Sequence, residues 1–120
     1  MKTRSCKAKG RRLQNKIAKE LAELFGLELG KEKDIWPRVM GEDGPDIALA
    51  KHIREIIPLS IECKNQEKWN VHSFVEQAKK QAYPNTEWVV IMSRNYQREP
   101  FVVVSWKFFK FLLKKAYGNK

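Results

Sequence analysis

Two acids and a lysine lie close together in the stretch from Gly44-Pro45-Asp46-Ile47 to Ile61-Glu62-Cys63-Lys64. Leu59, Ile61 and Cys63 alternate with Ser60, Glu62 and Lys64, and a period of two is that of a β-strand. Glu62 and Lys64 then share one face of the strand, and the apolar residues take the other. Asp46 follows a Gly-Pro turn signal and opens a second short apolar run, Ile47-Ala48-Leu49. If the two runs pair, Asp46 comes alongside Glu62. Carboxylates at one point repel each other, and a hard divalent cation held by oxygen ligands, Mg²⁺ or Mn²⁺, relieves the repulsion. A lysine beside such a cation can align or deprotonate a water, or neutralise charge building up on a phosphate. Cys63 stands between Glu62 and Lys64 and is expected on the buried face as a small core hydrophobe.

The remaining chain has to position these groups. Leu13, Ile17, Leu21, Leu24 and Phe25 recur at three and four, the spacing of an amphipathic helix, with Gly26 as its stop. Residues 28–39 lead into a first strand, opened by Asp34 and carrying Ile35, Trp36 and Val39. Asp34 also fits the role of a turn or cap residue. Residues 50–57 read as a short helix or an irregular excursion closed by Pro58. After Lys64 comes a polar loop, Asn65 to Asn70, holding Trp69. Trp69 could stack on an unpaired base or pack over the sheet edge. Asn70 is placed to cap a helix from Val71 to Ala82 that buries Phe74, Val75, Ala78 and Ala82. Lys79 and Lys80 on that helix are phosphate candidates or a solvated face. Trp88-Val89-Val90-Ile91-Met92 fits a central strand buried on both faces. A last strand at 101–104 and a helix at 106–117 close the chain. The order is helix, three strands, helix, two strands, helix (αβββαββα). The expected fold class is therefore α/β, a mixed central sheet flanked by helices.

At 120 residues this is one domain, expected over 11–117 behind a flexible basic arm at 1–10. Lys and Arg number 24 against 14 acids, a formal net charge of +10. Nucleic acid is the first candidate partner for such a chain and an anionic membrane the second. Lys7, Lys9, Arg11 and Arg12 cluster near the N-terminus and are expected to meet a phosphate backbone. An uninvolved frayed terminus is the alternative. No apolar run approaches the ~20 residues of a membrane helix, and the N-terminus has no apolar core of a secretory signal. The expectation is a soluble cytoplasmic protein. The two cysteines, Cys6 and Cys63, form neither a disulfide framework nor a zinc pattern. His52 has no Ser, Cys or Asp arrangement around it in the sequence, which argues against covalent nucleophilic catalysis.

Pro45-Asp46 followed by Glu62-Cys63-Lys64 resembles the PD-(D/E)xK nuclease signature. With Lys9-Gly10-Arg11-Arg12-Leu13-Gln14, Ile61-Glu62-Cys63-Lys64-Asn65 and Glu76-Gln77-Ala78, the chain from about Lys9 to Trp106 resembles the small Holliday junction resolvases of archaea and their bacteriophage-type relatives. The resemblance implies a restriction-endonuclease-like core and Mg²⁺-dependent hydrolysis of phosphodiesters in branched double-stranded DNA, leaving a 5′-phosphate. It implies a homodimer, since a four-way junction needs two symmetric cuts and one chain carries one site. Asp34, Asp46, Glu62 and the backbone carbonyl of Cys63 are the implied metal ligands. Lys64 is implied to act on the attacking water, and Gln77 to bond to the strand or substrate. Gln14 stands where the archaeal resolvases have a glutamate; it can orient a ligand but adds no charge. A flap or nicking nuclease of the same superfamily, a non-catalytic basic DNA-binding module, and a scaffold that has lost activity are the alternatives.

If the N-terminal cations contact phosphate, deleting residues 1–8 removes Lys2, Arg4 and Lys7. The slope of log K against log salt for DNA binding is then expected to fall by about 2 to 3, at ~0.9 per contact. An unchanged slope in a salt titration would dismiss the contacts.

Overall fold

A computed structural model describes residues 2–118, with side chains from Ala8 onward. The elements are α1 (Lys2–Phe25), β1 (Ile35–Pro37), β2 (Ile47–Leu49), α2 (Lys51–Arg54), β3 (Leu59–Asn65), α3 (Val71–Gln81), β4 (Glu87–Ser93), β5 (Phe101–Val103) and α4 (Trp106–Tyr117). The five strands form one mixed sheet in the order β1-β2-β3-β4-β5. Strand β3 is thus central. It pairs parallel with β4 along its whole length, from Leu59 opposite Glu87 to Asn65 opposite Ser93. A parallel pair needs a crossover, and α3 supplies it. The other pairs are antiparallel.

Each face of the sheet is covered by a helix whose apolar period matches it. On one face, Leu13, Ile17, Ala18 and Ala22 of α1 pack with Ile35, Ile47, Leu49, Ile61, Cys63, Val89 and Ile91. On the other, Phe74 and Ala78 of α3 pack on Val90 and Met92. Strand β4 therefore sends alternate residues into both cores, the reason for its near-continuous apolar run. Helix α1 ends in a Schellman turn: Gly26 has φ of 65°, and Leu27 N–H donates to Ala22 O at 2.8 Å. Helix α3 is capped by Asn70, whose side chain accepts from Ser73 N–H at 3.1 Å. Helix α4 is capped in the same way by Ser105, accepting from Phe108 N–H at 3.0 Å.

The basic stretch expected as a flexible arm differs in the structure: α1 begins at Lys2. Lys, Arg and Ala make up most of this stretch and favour helix, against Thr3, Ser5, Cys6 and Gly10, so the helix runs on ahead of its apolar stripe. Lys7 and Cys6 lie outside the residues whose side chains are described. Among the described residues no helix is long and apolar enough to cross a membrane.

Candidate active site

The register of two strands brings the acids together. Ile47 of β2 pairs antiparallel with Ile61 of β3, so the next position, Asp46, falls opposite Glu62. Asp46 Oδ2 accepts the backbone N–H of Cys63 at 2.8 Å. The carboxylate stands in for a strand carbonyl just where the β2–β3 ladder ends. Its own backbone carbonyl is also engaged, accepting Arg38 N–H at 2.7 Å and Gln14 Nε2 at 3.2 Å. Gln14 thus reaches from α1 to the backbone of Asp46.

Glu62 is only 2 % exposed, and its Oε1 has no hydrogen-bond partner in the protein. An orphaned buried carboxylate oxygen is costly. Burial, then the neighbouring Asp46 charge, pushes the Glu62 carboxyl up to about 8, with Lys64 opposing. Burial also raises Asp46 above the usual carboxylate value; the Cys63 amide, Lys64, contact with Glu62 and Arg38 pull the other way. Without a cation, burial and mutual repulsion favour a proton retained by the pair. Burial pushes the Cys63 thiol well up, so the buried free sulfur is inert.

Lys64 shares the face of Glu62. Its Nζ donates to Gln77 Oε1 of α3 at 2.5 Å and lies 5.7 Å from the Phe74 ring centre. Lys64 and Gln77 are therefore held together, with the lysine charge acting on both acids. Asp46, Cys63 and Lys64 open into a cleft of about 590 Å³, also lined by Lys9, Gly10 and Gln14 of α1 and by Met40, Asn65, Gln66, Glu67 and Asn95. Asn65 Nδ2 ties this rim to α1 by donating to Lys9 O at 3.2 Å.

Other expected site residues lie elsewhere. Asp34 does not join the acids. Its backbone carbonyl accepts Ala50 N–H at 3.0 Å, at the far end of β2 from Asp46, roughly 13 Å along a strand. Its carboxylate accepts Glu28 N–H at 2.9 Å and lies 3.1 Å from His52 Nε2. The Glu28 amide, with His52, holds it below its ordinary value. It is a turn residue, and the metal role implied for it is corrected here. Trp69 is likewise a packing residue rather than a free stacking platform. Its indole N–H is shared between Gln66 O at 2.9 Å and Ser93 O at 3.2 Å. Its ring meets Phe101 edge-on, with Arg94 3.9 Å from its centre. Lys79 is exposed, 4.0 Å from Glu76 Oε1, and Arg11 and Arg12 are exposed on α1. Arg38, whose backbone N–H reaches Asp46 O from eight residues away, was not visible in the sequence, because no local period marks it.

Among the described residues no three His, Cys, Asp or Glu side chains gather as a metal-ligand group. The residues present still fit a hard cation: a paired Asp and Glu with an unpartnered buried oxygen. A divalent ion would invert the local charge logic and remove the need for the shared proton. Asp46 and Glu62 would hold it.

The fold and this grouping of two acids and a lysine define a PD-(D/E)xK nuclease core. Residues 5–117 match the family described as "Phage putative PDDEXK endonuclease", and the chain belongs to that family. Its PD-(D/E)xK relatives generally use divalent metals. No curated protein and no solved structure matches the chain.

The Glu62 shift has a sign that can be measured. Its pKa is raised on folding, from 4.5 to about 8, so the folded state binds the extra proton. The associated stability is full below pH 4.5 and is lost as pH rises through about 8. In chelator, unfolding free energy is expected to fall by a few kcal/mol between pH 5 and 9. Glu62→Gln should flatten that decline. Denaturant melts across pH check it; a wild-type profile as flat as the variant's would contradict the buried acid pair.

Proposed function

We propose that this protein is an Mg²⁺- or Mn²⁺-dependent endonuclease acting on branched double-stranded DNA, the four-way junction first. The single observation that carries the nuclease reading is the Asp46–Glu62 pair beside Lys64, with Glu62 buried and Asp46 and Lys64 lining a cleft in a chain of charge +10. When bound, a divalent cation supplies Lewis-acid charge to a phosphate and lowers the pKa of a water. Asp46 and Glu62 would hold and orient it, with the Cys63 carbonyl as a further oxygen ligand. Lys64, fixed by Gln77, positions the attacking water and offsets charge growing on the phosphate oxygens. Water oxygen bonds to phosphorus, the bond to the 3′ oxygen breaks, and the products are a 5′-phosphate and a 3′-hydroxyl. Lys9, at the cleft, and Arg11 and Arg12 on α1 contact the phosphate backbone and set position rather than sequence.

The junction and dimer readings rest on the family resemblance together with one surface. Along α4, only Phe108 is buried, while Trp106, Phe109, Leu112, Leu113 and Tyr117 are exposed. At 3.6 residues per turn these five form one apolar stripe, and Lys107, Lys110 and Lys114 lie off it. The five side chains offer roughly 500 Å², just short of the ~600–1,000 Å² each partner gives to a standard interface. A second copy of this chain is the occupant proposed for it, and supplies the second cut. A flap or nicking specificity is the alternative within the same nuclease class.

Lys64→Ala is expected to retain junction binding within a few-fold yet lose cutting by at least 10²-fold, and Asp46→Asn to abolish divalent-dependent cutting. A synthetic junction, a flap and a plain duplex, each with and without Mg²⁺, provide the assay. Cleavage that survives chelator or Asp46→Asn would remove the metal mechanism; a flap cut faster than the junction would move the substrate. Leu113→Glu should shift the sedimentation of a wild-type dimer to that of a monomer, and a wild-type monomer at micromolar concentration would dismiss the interface.

A further inference from the structure

Asp46 is carried on a turn, Gly41 to Pro45, at the mouth of the sheet, whereas Glu62 is fixed inside β3. Two ligands of one ion must keep a constant separation, so the turn needs a reference to β3 beyond the single Cys63 N–H bond to Asp46. The structure contains a continuous set of contacts that provides it. Arg38 runs from the end of β1 beneath the turn. Its backbone N–H donates to Asp46 O at 2.7 Å, and its Nε donates to Pro45 O at 2.7 Å. Its Nη2 donates to the Tyr83 hydroxyl. Tyr83 is in turn fixed to the strand of Glu62: its N–H donates to Ser60 Oγ at 2.9 Å. Ser60 Oγ lies 2.6 Å from Thr86 Oγ1, which donates back to Tyr83 O at 2.6 Å. Arg54 covers the Tyr83 ring at 4.1 Å.

The turn itself is shaped around the guanidinium. Gly44 has φ of 122°, a conformation glycine alone adopts readily. A Cβ there would come within 2.7 Å of Arg38 Cζ. Gly44 N–H donates to Gln81 Oε1 at 2.9 Å, tying the same turn to the last residue of α3.

We propose that Arg38 is a positioning residue for the divalent-cation site: with Tyr83 and Ser60 it ties the Asp46 turn to the strand that carries Glu62. The role depends on the fork of the guanidinium, which reaches Pro45 O and the Tyr83 hydroxyl at once. A lysine keeps the charge but cannot span both. The proposal rests on the metal-dependent reading of the site.

The test is the rise in melting temperature of the full chain on titration with Mn²⁺, with duplex binding in chelator as a parallel readout. Arg38→Gln and Arg38→Lys are each expected to raise the half-saturating Mn²⁺ concentration at least tenfold. Tyr83→Phe, which removes only the hydroxyl, is expected to raise it about threefold. Metal-free duplex binding should stay within twofold for all three. A lysine variant indistinguishable from wild type would reduce Arg38 to a point charge and overturn the proposal. So would variants whose Mn²⁺ response is unaltered, or whose duplex binding falls as much as their metal affinity. Should Arg38→Gln fail to melt cooperatively, Arg38→Lys and Tyr83→Phe decide the matter. A wild-type chain with no Mn²⁺ response would overturn the metal reading itself, an outcome distinct from a responsive wild type with equally responsive variants.

Discussion

One hydrogen bond, from the Cys63 backbone N–H to Asp46 Oδ2, joins the two strands at the point where their backbone ladder gives out. β2 and β3 share the pair Ile47–Ile61; beyond it the chain of β2 becomes the Gly-Pro turn. A buried amide left there would be an orphan. The carboxylate of Asp46 takes it, and in doing so is pinned beside Glu62. The same side chain therefore completes the sheet and builds the acidic site. That double duty sets the acid pair by sheet register, while the Arg38 contacts hold the turn that leads into Asp46.

The arrangement is electrostatically unfavourable by itself. Burial drives both carboxyls upward, and a Glu62 oxygen has no partner. In a chain of charge +10, acids facing a phosphate polymer oppose binding. A divalent cation removes both difficulties, since it satisfies the oxygens and presents positive charge to the cleft. Lys64 and Gln77, with Lys9 and Gln14 of α1 at the cleft, supply donors and cations around the acids. The helices on the two sheet faces have different tasks: α1 brings Gln14 and Lys9 to the rim, and α3 brings Gln77 to Lys64.

What could be read from the sequence follows from range. The alternation of Leu59 to Lys64 and the apolar run of β4 report local periods, so the central strands, α3 and α4 were legible to within a residue or two. Asp46 beside Glu62 was legible because two short apolar runs flanked by turns leave few ways to pair. Asp34 entered the site through the family resemblance alone, and the β1–β2 register, Ile35 opposite Leu49, which periodicity does not encode, puts it at the far end of β2. Trp69 was ambiguous because an aromatic in a polar loop can face either way, and only its contacts with Phe101 and Arg94 settle the matter. Arg38 and Tyr83 gave no signal. Each is unremarkable locally, and their contact spans half the sheet.

Mn²⁺ soaked into crystals of this protein tests the central claim most directly, through anomalous scattering at the manganese edge. A peak is expected between the Asp46 and Glu62 carboxylates, within about 2.0–2.6 Å of an oxygen of each, and its loss in a Glu62→Gln crystal. No peak there at saturating Mn²⁺, or one coordinated instead by Asp34 and His52, would contradict it.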